Sequence, residues 1–135
     1  MLSLCASFCK PLEAFSQEVL KVNPGNDGKL LLPYFETEIV PKVLEEGIYR
    51  FRLKEDDIPG NCRALLEAQM LSMKVHSTWM GKAPSLIYAT GGASKNKVLL
   101  QIMADVFNAC VIERKVSNSA CLGASLRAAY AYFSL

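Results

Sequence analysis

Leu86-Ile87-Tyr88-Ala89-Thr90-Gly91-Gly92-Ala93-Ser94-Lys95-Asn96 is an apolar run that ends on paired glycines and passes directly into a helical pattern. Residues 85–90, held between Pro84 and Gly91-Gly92, read as a short strand covered on both faces. The spacing of Leu99, Leu100, Met103, Val106 and Phe107 predicts a helix over residues 95–108. Cys110-Val111-Ile112-Glu113 supplies the next strand, and an alanine-rich helix over residues 120–132 closes the chain. Strand, helix and strand in this order are the repeat of an α/β domain with mostly parallel strands. The two runs 86–89 and 110–112 are therefore expected to be parallel neighbours joined by a right-handed helical crossover.

Upstream, Pro59 opens a helix whose positions Leu65, Ala68, Leu71, Ser72, Val75 and Trp79 recur at helical spacing, with Gly81 as its cap. Residues 45–57 are charged and interrupted by glycine, the composition of a mobile connection. Residues 29–40 contain Leu30-Leu31-Leu32 but also Pro33, which limits any strand to a brief one, with Tyr34-Phe35 pinned against the domain. Asn23-Pro24-Gly25-Asn26-Asp27-Gly28 is a turn by composition. Leu12, Phe15, Val19 and Leu20 predict a short amphipathic helix after Pro11. The opening residues 1–9 are apolar without a basic leader and read as a strand or a cut edge rather than a signal sequence.

The 135 residues fit one domain, 51% hydrophobic and 21% charged, far from the composition of a disordered chain. A formal charge of +2 with no block of like charges argues against a nucleic-acid groove or a membrane surface. Five cysteines, Cys5, Cys9, Cys62, Cys110 and Cys121, show neither zinc-ligand pairing nor the even count of a disulfide framework, as expected of a reducing cytoplasm.

Two readings of the Gly91-Gly92 junction stand side by side. At a strand-to-helix turn the first helical N–H groups are unpaired and glycine allows close approach, so a phosphate or nucleotide fits there. Alternatively the glycines only supply unusual backbone angles. Elsewhere little chemistry is on offer. His76 is the only histidine and has no nucleophile beside it; it reads as a surface or capping residue. Asp56 and Asp57 sit in the charged stretch and Asp105 sits within a helix, and no catalytic base or metal ligand is nominated.

Ala89-Thr90-Gly91-Gly92-Ala93-Ser94-Lys95-Asn96, followed by Gln101, Ala104-Asp105 and Ala120-Cys121-Leu122-Gly123-Ala124, resembles the C-terminal signature of the FGGY carbohydrate kinases. Upstream, the stretch from Gly25 through Phe35 and Glu38-Ile39-Val40-Pro41 resembles the xylulose-phosphorylating branch. The resemblance implies a partial actin-like, ribonuclease-H-like ATPase domain, a mixed sheet flanked by helices. It implies ATP as cosubstrate, with Gly91, Gly92 and Ala93 approaching its adenosine and phosphate region and Asn96 beside the adenine or ribose. Mg2+ is implied with it, held by ligands outside this chain. One departure stands at Asn118, where many family members carry glutamate; there Ser117, Asn118 or Ser119 is expected to cap the last helix, while Gly123, Ala124 and Ala128 let it pack against the sheet.

On that resemblance the chain is the incomplete C-terminal, nucleotide-binding domain of a kinase converting D-xylulose to D-xylulose 5-phosphate. The sugar is then bound mainly by an absent N-terminal domain, and this chain alone is inactive. Missing sheet leaves an exposed edge or apolar face, and a homodimer is one way to cover it. The alternatives are a kinase for glycerol, ribulose or gluconate, and a non-catalytic actin-like binding or regulatory module.

Overall fold

The computed structural model describes residues 12–114 and 118–134. In chain order the elements are α1 (Leu12–Leu20), β1 (Leu30–Tyr34), β2 (Gly47–Phe51), α2 (Ile58–His76), β3 (Leu86–Ala89), α3 (Lys97–Phe107), β4 (Cys110–Glu113) and α4 (Ser119–Phe133). The strands pair in two small sheets. β1 runs antiparallel to β2, with Leu30 opposite Phe51 and Tyr34 opposite Gly47. β3 runs parallel to β4, with Leu86 opposite Cys110 and Ala89 opposite Glu113, and α3 is the connection between them. The expected parallel neighbours are thus present.

α2 is the element on which the others are assembled: α1, α3 and β1 all pack against it. The core consists of Phe15 and Val19 from α1, Leu31 from β1, Leu53, Cys62, Ala64, Leu65 and Met70 around α2, and Ile102 from α3. At its start the Asp57 carboxylate accepts from the Gly60 amide at 3.0 Å. A side chain on Gly60 would strike that carboxylate, since an added Cβ would lie 2.5 Å from Asp57 Oδ2. Lys29 Nζ donates to the same Oδ2 at 2.9 Å, which holds the Asp57 carboxyl below the ordinary aspartate range and raises Lys29 above the ordinary lysine range. Asn61, nearly fully buried, donates to the carbonyls of Lys54 and Asp57 at 2.7 Å each and accepts from Arg50 Nε at 2.9 Å.

Those bonds explain the first correction. Residues 45–57, read as a mobile connection, contain β2 and are fastened to α2 through Arg50 and Asn61. A second correction concerns the face of α2. Leu65 is buried as expected, but Leu71, Ser72 and Val75 are exposed, and Trp79 stands beyond the helix in the turn Thr78–Met80, which Gly81 closes in the left-handed region at φ +73°. The face that packs carries Arg63, Ala64, Glu67 and Met70. Charge at these positions is tolerated because it is paired internally: Arg63 Nε donates to Glu67 Oε1 at 2.7 Å, with both side chains under a tenth exposed. Arg63 Nη1 also donates to the Val22 carbonyl at 3.1 Å, and the Gly25 amide donates to Glu67 Oε1 at 2.9 Å.

Two expected coverings are absent among the described residues. β3 has one open face, with Leu86 and Tyr88 exposed beside Cys110 and Ile112 of β4, and the Arg114 guanidinium lies 4.5 Å from the centre of the Tyr88 ring. α4 is exposed along its length, so Gly123, Ala124 and Ala128 do not pack it against the sheet. Asn118 makes no capping bond through its side chain, and Ser117, Pro11 and the opening residues 1–9 lie outside the described residues.

Removing one member of the buried pair leaves the other charge unpaired, which costs about 3–5 kcal/mol in buried settings. Glu67→Ala is therefore expected to lose stability on that scale in urea unfolding. The double change Arg63→Met with Glu67→Leu is expected to lose much less, because no charge is stranded. A single-variant loss below about 1 kcal/mol, the scale of a surface pair, would contradict this assignment.

Candidate functional site

The glycine junction follows the carboxyl end of β3, on the side of the parallel pair where open α/β sheets bind ligands. Gly91 has φ +85° and ψ −172°, a backbone region that is essentially restricted to glycine. The chain turns there into the short 3-10 segment Gly92–Lys95. Ser94, nearly fully buried, fixes that turn by donating from Oγ to the Gly91 carbonyl at 2.7 Å. The amides of Gly92 and Ala93 open the segment and by its geometry have no acceptor within it. Space stands over both glycines, since a Cβ added at Gly91 or Gly92 meets nothing within 4 Å. Gly92 does not occupy the left-handed region, so its backbone admits other residues.

Asn96 has a different position from the one expected. Helix α3 starts at Lys97 rather than at residue 95, and Asn96 is its cap instead of lying within it. Its Oδ1 accepts from the amides of Val98 at 3.0 Å and Leu99 at 3.2 Å. Its Nδ2 donates to Ser16 Oγ of α1 at 3.2 Å, which leaves one amide hydrogen for any ligand. The structure thus brings Gly91, Gly92 and Ala93 together at the turn and sets Asn96 behind them as a tie between α1 and α3.

Sequence reasoning missed three contributors. Ser94 was legible as a hydroxyl three residues after the turning glycine, a spacing at which side chains close local turns. Ser16 and Ser119 carry no such local signal, because their partners are distant in sequence. The hydroxyls of Thr90 and Ser119 lie 3.2 Å apart and join the end of β3 to the first turn of α4, whose leading amides have no side-chain cap. Lys97 and Glu113 form an ion pair between the start of α3 and the end of β4.

Among the described residues no three His, Cys, Asp or Glu side chains come together as metal ligands. Asp105 accepts from Gln101 at 2.7 Å and Asp57 caps α2, so both carboxylates have structural partners. No described helix is long and apolar enough to cross a membrane.

A parallel strand pair, a helix between them and a glycine turn at the strand end are parts of an actin-like ATPase domain, and the whole fold superposes on solved sugar kinases of that architecture. A xylulose kinase from Lactobacillus acidophilus matches with a TM-score of 0.77 at 23% identity, over 93% of this chain and 27% of that one. A gluconate kinase from the same organism matches with a TM-score of 0.74 at 23% identity, over 91% and 26%. In sequence, the FGGY family of carbohydrate kinases, C-terminal domain, matches residues 10–132. The xylulose kinase of Rattus norvegicus is 36% identical over 122 residues, 84% of this chain and 22% of that protein. The chain belongs to the FGGY family of carbohydrate kinases. It spans roughly a quarter of the length of these relatives, between the 22% and 27% just given.

The double duty of Asn96 makes a prediction. Asn96→Ala removes the cap acceptor, and loss of such a cap costs about 1 kcal/mol. Asn96→Ser keeps a capping oxygen and is expected to retain most of that stability in urea unfolding. Equal stability of the Ala and Ser variants would show that the cap contributes nothing.

Proposed function

We propose that this chain carries the nucleotide-contacting part of an ATP-dependent sugar kinase. The supporting observation is the Gly91 turn, a glycine-only backbone conformation at a strand end that opens a short 3-10 segment, with nothing within 4 Å of where a Cβ would stand on Gly91 or Gly92. In this reading the Gly92 and Ala93 amides donate to phosphate oxygens, Gly91 lets the backbone approach them, and Asn96 holds the turn in register with α3. The partial positive charge of α4's uncapped first turn, tied alongside through Ser119 and Thr90, acts in the same direction. ATP, bound with Mg2+, supplies the transferable phosphoryl group, and positioning it is the chief demand of such a reaction.

The substrate we propose is D-xylulose, phosphorylated to D-xylulose 5-phosphate, in line with the 36% identity to the rat xylulose kinase. A second reading, gluconate, is favoured by the nearly equal structural match to a gluconate kinase. No described carboxylate is assigned as the base, and the sugar pocket is proposed to come from chain beyond this domain. A binding module without transferase activity is the outcome if the longer protein that carries the sugar pocket binds nucleotide and no sugar promotes ADP release.

Calorimetric titration with ADP tests the site. Gly92→Val puts two methyl groups where the nucleotide approaches while its backbone conformation tolerates the change, so affinity is expected to fall by about tenfold or more with the fold intact. Gly91→Ala is expected to lose stability as well, because its φ of +85° strains any side chain. Parental ADP affinity in the Gly92 variant would remove this turn from the site.

A further inference from the structure

We propose that the cavity at the end of α2 is a binding site for a small phosphate monoester with a compact apolar body. The cavity, of about 230 Å3, lies where the end of α2, the loop through residues 81–84 and the last residue of α3 meet. Its lining includes Pro84 and Phe107, the latter nearly fully buried, and its cations are Lys74 and Lys82. An apolar hollow with a few charged groups is the usual make-up of a small-molecule site, and a volume below the roughly 300 Å3 of drug-sized pockets limits the ligand to a compact one. The cavity contains none of residues 91–96. It lies at the far end of α3 from the glycine turn, about 16 Å along a helix of eleven residues.

Charge selects the phosphate. The C-terminal end of a helix carries partial negative charge and by itself repels anions. Here that end is closed: Ser77 Oγ donates to the Lys74 carbonyl at 2.9 Å, Thr78 Oγ1 to the Val75 carbonyl at 3.0 Å, and the Gly81 amide to the Thr78 carbonyl at 3.1 Å. The two ammonium groups are therefore in excess. Lys74 Nζ donates to the Val106 carbonyl at 2.7 Å, which anchors it at the cavity and leaves two of its three hydrogens. Lys82 is exposed and, among the described residues, is in no ion pair. No carboxylate lines the cavity, and residues 68–104 contain no Asp or Glu. The flanking carboxylates, Glu67 and Asp105, bond to Arg63 and Gln101 and line other cavities. Two cations with no carboxylate beside them match the nearly two negative charges of a phosphate monoester at neutral pH, where a carboxylate would bring only one.

Trp79, the only tryptophan of the chain, stands in the turn between Thr78 and Gly81 and so reports on the cavity they line. Phenyl phosphate titrated into the intact chain, followed by Trp79 fluorescence and by calorimetry, is expected to saturate with a dissociation constant on the order of 1 mM, the range open to a ligand of about eleven heavy atoms. Inorganic phosphate, which lacks the ring, and benzoate, which lacks the second charge, are each expected to bind about tenfold more weakly. Lys82→Gln removes one cation and is expected to weaken phenyl phosphate about fivefold, while Lys82→Glu sets a carboxylate in its place and is expected to weaken it by more than about tenfold. Lys82 lies in an exposed loop, so both variants are expected to keep parental helix content by circular dichroism. The response is expected to persist with ADP in excess, because the glycine turn is a separate surface. No saturation by about 20 mM, phosphate or benzoate binding as tightly as the ester, parental affinity in Lys82→Glu, or loss of the response in ADP would each overturn the proposal.

Discussion

The guanidinium of Arg63 and the carboxylate of Glu67, buried together on α2, are the contact on which the remaining arrangement depends. Each charge is costly to desolvate, and the pair is tolerable only because further hydrogen bonds satisfy it, from Arg63 to the Val22 carbonyl and from the Gly25 amide to Glu67. Those bonds fix where the chain leaves α1, and so fix α1 against α2. Ser16 on α1, which donates to the Leu12 carbonyl at 2.9 Å, then accepts from Asn96, and Asn96 caps α3. The glycine turn just before that cap is thus held, through two helices, by a pair of charges that lie 28 and 24 residues before Gly91 in the sequence.

This chain of contacts also separates the rigid from the open parts of the molecule. Gly91, Ser94 and Asn96 are held by hydrogen bonds, whereas Gly92 and Ala93 are exposed, the division of labour that the proposed phosphate contact needs. The groove between β1 and α2 is a second open region on different residues, with largely apolar walls. The proposed nucleotide site and this groove are therefore different surfaces, although both rest on α2.

The β3, α3, β4 unit was legible because each part has a strong local signal: a short apolar run, paired glycines, then a helical stripe. The family resemblance added the proposed site at the Gly91-Gly92 turn, whose local strand-to-helix signal was already strong. What failed had non-local causes. β2 was lost because Gly47-Ile48-Tyr49-Arg50-Phe51 is flanked by charges, and its partner β1 carries a proline next to its last residue. The packing face of α2 was misassigned because apolarity was taken as the guide, while the structure buries a salt-bridged pair and leaves Leu71 and Val75 outside. The capping role of Asn96 was not legible because nothing local distinguishes a cap from an amide inside the first turn; the partner that ties it to α1, Ser16, lies eighty residues away.

Nuclear magnetic resonance of the amide-labelled chain, titrated with ADP, addresses the central claim most directly, because it reports each backbone donor separately. The account predicts that the largest shift changes fall on the amides of Gly91, Gly92 and Ala93 and extend weakly to Ser119, while Leu71, Val75 and the rest of the groove stay unchanged. Largest changes at the groove, or saturation with no change at the glycine turn, would contradict it.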